Sequence, residues 1–247
     1  MQQSKRILLW VLTLIVWIIV PVVGTVAIFI GIGIIQEQLF VPKEYIIWVV
    51  SPVINLIFIY ELLLIGGLIF FWYRHFWKKR KPTTRSEKHS FFSKNKKSII
   101  SVFVVGNLVL LYTIITAVTV ITNDKIIVHS FLSPQGKEYS YNEIVQIEAG
   151  VYGKRKVFQS SKGDFFYIIE LADGKKVDLT MMGGGYEDSD SDDEVHEVFI
   201  IEELDKVFVK MQIPKSASME NYQYSTKMLD PIYTEAIKNA LENNEKY

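Results

Sequence analysis

Apolar residues run through the first half of the chain in three long stretches, and beyond them they break into short runs separated by turn residues. The stretches are Ile7 to Ile35, Tyr45 to Tyr73 and Ser98 to Thr122. Each exceeds the roughly 20 apolar residues that carry a helix across about 30 Å of hydrocarbon, so three membrane spans are expected. The first two are longer than a bilayer requires, which predicts tilted or protruding ends and, in the first, a kink at Pro21 beside Gly24. Trp10, Trp17, Trp48, Trp72, Tyr45 and Tyr73 fall mostly toward the ends of these stretches, where an amphipathic ring sits at headgroup level.

Beyond Asn123 the pattern changes. Ile126 to Leu132, Tyr139 to Ile147, Lys156 to Gln159, Phe165 to Leu171 and Lys176 to Met181 read as strands, with turns expected at Ser133 to Gly136 and at Asp173-Gly174. The connections are too short for the crossover helices of a parallel sheet, so an antiparallel meander is expected. Val198, Ile201, Leu204 and Phe208 recur at helical spacing within Glu194 to Met211, which Pro214 closes. Asp230 and Pro231 supply an N-cap residue and an N1 proline for a second helix ending near Leu241. The fold class these patterns predict is an α-helical membrane bundle of three spans, residues 1–122, followed by an α+β domain, residues 123–247, whose antiparallel sheet is covered by C-terminal helices.

Within that domain the segments GKEYSYNEI, from Gly136, and IIELADGKKVDL, from Ile168, resemble the pleckstrin-homology-like (PH-like) domains of bacterial multi-span membrane proteins. The likeness covers under half the chain. It implies a scaffold for binding or assembly without fixed catalytic residues. Several such domains are cytoplasmic, which conflicts with the topology that charge predicts.

The chain carries 27 basic and 27 acidic residues, and this balance conceals a split. From Asn123 onward there are 14 Lys or Arg against 23 Asp or Glu, leaving 13 against 4 before it. Ten of the basic residues, with the single acid Glu87, lie between Arg74 and Lys97. Loops rich in Lys and Arg stay on the cytoplasmic side, and Lys5 and Arg6 ahead of the first stretch agree. The expected topology is a multi-pass protein of the cell membrane with a cytoplasmic N-terminus, an uncleaved signal anchor and an extracytoplasmic C-terminal domain. Lys78, Lys79, Arg80 and Lys81 are candidates to hold anionic lipid headgroups. The acidic domain is a poor partner for anionic lipid or nucleic acid.

The absence of cysteine excludes disulfides, thiolate metal sites and cysteine nucleophiles. No N-x-S/T acceptor occurs, which favours a bacterial envelope. Glu187 to Glu197 crowds seven carboxylates into eleven residues, and Asp188, Asp190, Asp192, Asp193 and Glu194 are candidate ligands for a divalent cation such as calcium, bound weakly. The EF-hand match is incomplete, because counting from Asp188 the sixth and twelfth places hold Asp193 and Phe199. A solvated acidic loop leading into a helix N-terminus is the plainer alternative. Glu61, inside the second stretch, is costly to expose to lipid, so Asn107 and Asn55 are candidate partners in either an interhelical contact or a proton or ion site. His75, His89, His129 and His196 are scattered. No P-loop, H-E-x-x-H or G-x-S-x-G motif is present, and Gly183 to Gly185 reads as a hinge. These features lead to the expectation of a noncatalytic envelope protein without a cofactor, whose partners are membrane lipid, a protein or cell-wall component and, for any ion pathway, further copies in a homo-oligomer. Ion or proton translocation through Glu61 and divalent-cation sensing by the acidic loop are the alternatives.

Overall fold

The computed structural model describes residues 23–76, 96–154, 161–181, 185–186 and 197–243. The chain divides into two compact units, one drawn from Met1–Ile35 and Leu56–Ile115, the other from Gln36–Asn55 and Thr116–Tyr247.

The first unit is helical. It contains most of α1, described over Val23–Phe40, together with α2 (Leu56–Phe76) and α3 (Lys96–Ile115). The rings of Phe29 in α1 and Phe58 in α2 lie 6.0 Å apart. A Cβ on Gly67 in α2 would come within 3.1 Å of the Phe103 ring in α3. Ile30 of α1, Leu62 of α2, and Val102 and Leu108 of α3 are exposed.

Helix α1 is long and apolar enough to cross a membrane, and it is the one helix among the described residues that meets this criterion; Pro52–Gly67 and Ile100–Ile115 are shorter apolar helical stretches. The expected bundle of three spans is thereby corrected. Each of the second and third apolar stretches is part helix and part strand. Ile47–Val50, at the start of the second, is β1, and Val118–Ile121, at the end of the third, is β2; the two pair antiparallel, Ile47 facing Ile121 and Val50 facing Val118. Apolar runs of this length do not distinguish a buried strand from a buried helix, and here β-branched residues had marked the strands. The domain boundary expected at 122/123 accordingly moves to 115/116, and residues 36–55 join the second unit.

That unit holds two sheets rather than the single PH-like meander expected. After β2 come β3 (Lys125–Ser130), β4 (Ser133–Ser140), β5 (Ile144–Val151), β6 (Phe165–Leu171), β7 (Lys176–Asp178) and the two-residue β8 (Gly185–Tyr186). Helix α4 (Glu197–Lys210), β9 (Lys215–Ala217), the short α5 (Tyr222–Ser225) and α6 (Pro231–Glu242) follow. Sheet A has the order β4-β3-β2-β1-β8 and sheet B the order β7-β6-β5-β9. The chain passes between sheets through a 3-10 turn at Tyr141–Glu143, which divides the expected strand Tyr139 to Ile147. The last strand, β9, runs parallel to β5, because α4 acts as the crossover that brings the chain back in the same direction.

The two faces of β1 and β2 account for their uninterrupted hydrophobicity. Ile47, Val49 and Ile121 enter the main core with Ile147, Tyr167 and Ile169 of sheet B, Ile201 and Phe208 of α4, and Ile237 of α6. Trp48, Val50, Val118 and Val120 form a second cluster, against which Phe40, Val41, Tyr45 and Ile54 pack. A strand buried on both faces has no need to alternate. By contrast β6, with one covered face, buries Phe165, Tyr167, Ile169 and Leu171 in strict alternation.

The turn expected at Ser133 to Gly136 instead lies within β4. The hairpin reverses at Phe131-Leu132, and the β3–β4 register shifts between Val128 and Ser130. Gly136 has φ +88°, and a Cβ there would meet Ile127 Cγ2 at 2.6 Å; the glycine thus serves a bulge rather than the hairpin turn. The Pro21 kink and the strand Lys156 to Gln159 lie outside the described residues.

Because β1 and β2 pair directly, a Val50→Cys/Val118→Cys double variant is expected to form a disulfide in the otherwise cysteine-free chain. Proteolysis in the Lys/Arg-rich stretch 74–97 then leaves the two fragments joined until reductant is added. Val50→Cys/Thr119→Cys is expected to stay separable, since adjacent strand positions face opposite sides of the sheet.

Candidate functional site

The polar residues singled out in the apolar segments are not brought into one site. Glu61, half-buried in α2, accepts a hydrogen bond from the Thr25 hydroxyl of α1. Thr25 was not among its expected partners. Asn107 of α3 uses its amide nitrogen on the Phe103 carbonyl of its own helix at 2.7 Å, and its Oδ1 is buried without a hydrogen-bond partner among the described residues. Asn55 closes the 3-10 turn Pro52–Asn55 in the second unit. The cation candidates Asp188, Asp190, Asp192, Asp193 and Glu194 lie outside the described residues, as do the headgroup candidates Lys78, Lys79, Arg80 and Lys81. Among the described residues no group of three or more His, Asp or Glu could hold a metal ion.

The described β domain has a shallow cleft of about 400 Å³, formed where the α1–β1 connector meets the β2–β3 turn. Pro42, Lys43 and Glu44 line one side, and Thr122, Asn123, Asp124 and Lys125 the other. The turn is held by the Thr122 hydroxyl, which donates to Asp124 Oδ1 at 2.9 Å and accepts from the Lys125 amide at 3.3 Å. The Tyr141 hydroxyl donates to the Thr122 carbonyl, and burial pushes that phenol up to about 12. Two lysines and two acids on the rim offer donors and acceptors without a dominant charge. This chemistry suits a polar, mixed-charge partner surface better than an isolated phosphate or metal ion.

A second polar group is buried and structural. Asp205 of α4 is fully buried and pairs with Lys215 of β9 at 2.5 Å. The Tyr167 hydroxyl of β6 donates to Asp205 Oδ1 at 2.7 Å, and Asn243 Nδ2, just beyond α6, donates to Oδ2 at 2.8 Å. Lys215 also donates to the Ala240 carbonyl, and to that of Asn243 at 3.2 Å. Burial lowers the Lys215 ammonium, opposed by its bond to Asp205, and burial beside the Asp205 charge raises the Tyr167 phenol. One network thus links α4, β6, β9 and the end of α6. Its sequence signal is an acid on the apolar stripe of a helix, since Asp205 lies four residues after Ile201.

Two further acids respond to their surroundings in opposite ways. Asp173, in the β6–β7 turn, accepts from the Tyr139 hydroxyl at 2.6 Å and from Lys137 at 3.1 Å, and these bonds hold its carboxyl down at about 2. Glu197, in the first turn of α4, is pushed up to about 7, mainly by burial and further by the Asp178 charge. Asp178 is itself raised by burial, although the Thr180 hydroxyl and amide donate to it at 2.7 and 3.0 Å.

His129 is the histidine whose setting is described: Nδ1 lies 3.0 Å from the Pro134 carbonyl, its ring centroid is 4.8 Å from that of Phe40, and Nε2 is buried without a hydrogen-bond partner among the described residues. A proton on Nδ1 suits the Pro134 contact. No family model, curated protein or solved structure matches the chain.

Replacing Asp205 by Asn leaves Lys215 buried beside a neutral amide and is expected to cost about 3 to 5 kcal/mol in unfolding free energy, read by denaturant titration. Asp205→Leu with Lys215→Met is expected to cost less than Asp205→Asn alone, because no buried charge is left unpaired. For Glu197, the folded carboxyl holds its proton up to about pH 7, whereas the unfolded chain releases it near the ordinary glutamate value. Stability is therefore expected to fall as pH rises across that interval, and Glu197→Gln to flatten the decline in Tm.

Proposed function

We propose that this chain is a noncatalytic, membrane-anchored interaction protein that presents its two-sheet domain on the extracytoplasmic face of the cell membrane. The observation that carries the reading is the β1–β2 pairing. A hydrogen-bonded sheet in water does not straddle a bilayer, because lipid would leave its edge groups unsatisfied. Residues 36–55 and the chain from 116 onward therefore share one side, and any crossings within 56–115 are even in number. With α1 as a span, the N-terminus lies opposite. Lys5 and Arg6 ahead of α1 support a cytoplasmic N-terminus, and on that reading the acidic domain lies outside.

The partner we favour is a protein or cell-wall component, with the mixed-charge cleft beside Lys43 and Asp124 as its first contact. The bond between Thr25 and Glu61 supports a structural role for Glu61 between helices in preference to ion translocation.

An epitope tag after Tyr247 and an impermeant thiol label on Lys43→Cys test the arrangement in intact cells or spheroplasts. Both sites are expected to react from outside before lysis. Protection of both until lysis would reverse the orientation, and reaction of only one would contradict the shared sheet.

A further inference from the structure

The β3–β4 hairpin reverses through Phe131 and Leu132, with Ser130 paired to Ser133 on either side. Two-residue hairpin turns favour Asn, Asp and Gly, which tolerate the required backbone and solvate well. This one carries two large apolar residues. Leu132 is 89% exposed, the highest value of any large apolar side chain among the described residues, and Phe131 is 43% exposed. The Ser133 amide bonds to the Ser130 hydroxyl at 3.3 Å, so the two serines bridge the turn.

The register of sheet A specifies which end this tip occupies. Val50 faces Val118, and Thr119 faces Val128, so the last residue of β1, the first of β2 and the end of β3 lie at one level. From that end the chain departs from β1 toward Leu56 and returns from Ile115 into β2. The last residue of α1, Phe40, stacks on His129, two residues before Phe131. The connections from β1 to α2 and from α3 to β2 therefore leave from the end that carries Phe131 and Leu132, and Phe40 brings the last residue of α1 to the same end, although the connector that follows it crosses to the opposite end to enter β1 at Ile47. The opposite end carries Asn123, Asp124 and the polar cleft.

From this we infer that the Phe131-Leu132 tip inserts into the lipid interface and forms a second, non-helical contact between the domain and the membrane. The inference rests on α1 being a membrane anchor. A lone exposed leucine needs no explanation. An apolar pair at a hairpin tip, two residues from the ring that meets the anchor's last residue, is the arrangement by which amphipathic elements seat in headgroups. The serines on either side would remain in the hydrated headgroup layer.

The absence of native cysteine allows a direct test on the full chain in vesicles of phosphatidylcholine and phosphatidylglycerol. Leu132→Cys, Asn123→Cys and Ile30→Cys are each labelled with the fluorophore NBD, and all three positions are solvent-exposed in the isolated chain. Emission at 132 is expected to shift to the blue and to lose most of its intensity when lipids carrying a nitroxide near the headgroup are included, with no loss at 123. Emission at 30, in α1, is expected to be quenched by nitroxides deeper in the chains. Quenching at 30 without quenching at 132 overturns the inserted tip and leaves the anchor intact. A blue shift at 132 without lipid quenching assigns the tip to a protein contact and also overturns it. No quenching at 30 removes the anchor and the inserted tip together.

Discussion

The antiparallel pairing of β1 with β2 is the contact on which the rest of the second unit depends. It joins two strands separated in sequence by both α2 and α3, and it places them in the middle of sheet A. One face of the pair packs on the main core and the other on a separate cluster beneath Phe40 and Tyr45. Fully burying a Val or Ile side chain contributes about 1.5 to 3 kcal/mol, and Val50, Val118, Val120 and Ile121 are all nearly inaccessible. Without β1, sheet A would present β2 as an uncovered apolar edge, the configuration most prone to aberrant pairing. The α1–β1 connector is thus a structural part of the domain and more than a link between helices.

Sheet B and its helices are held by a different combination. Helix α4 buries Val198, Ile201, Leu204 and Phe208 along one stripe, and the Phe208 ring meets Tyr141 edge-on at 5.2 Å, where the chain changes sheets. Asp205 occupies the same stripe, and its charge is accommodated because Lys215, Tyr167 and Asn243 converge on it. Buried ion pairs contribute little net stability over an apolar alternative, but removing one member is costly. Here the pair holds β9 beside β5 after the left-handed turn at Gln212 (φ 60°).

Several elements were legible in the sequence because their signals are local. The apolar spacing after Glu194, the proline after Asp230 and the aromatic and β-branched run Phe165 to Leu171 ahead of Asp173-Gly174 correspond to α4, α6 and β6. The candidate sites were less legible. The partner of Glu61 is Thr25, a small hydroxyl in an apolar run with nothing in its neighbours to distinguish it. Asp205 did carry a signal, an acid on a buried helical face. Its partner Lys215, however, reaches it from a separate strand whose position depends on the crossover. The cleft is equally non-local, because Lys43 and Asp124 become neighbours only once β1 and β2 are paired.

By itself, the sequence determined the segregation of charge along the chain, the apolarity of α1, the amphipathic helix α4 and the polar turn at Asp173-Gly174. Each depends on residues within a few turns of one another. The tertiary structure decided whether an apolar run is helix or strand. Periodicity reports one covered face, and β1 and β2, covered on both, carry the same uniform hydrophobicity as a helix in lipid. Only long-range pairing, with its demand that buried backbone groups find partners, turned the ends of two expected spans into the centre of a sheet.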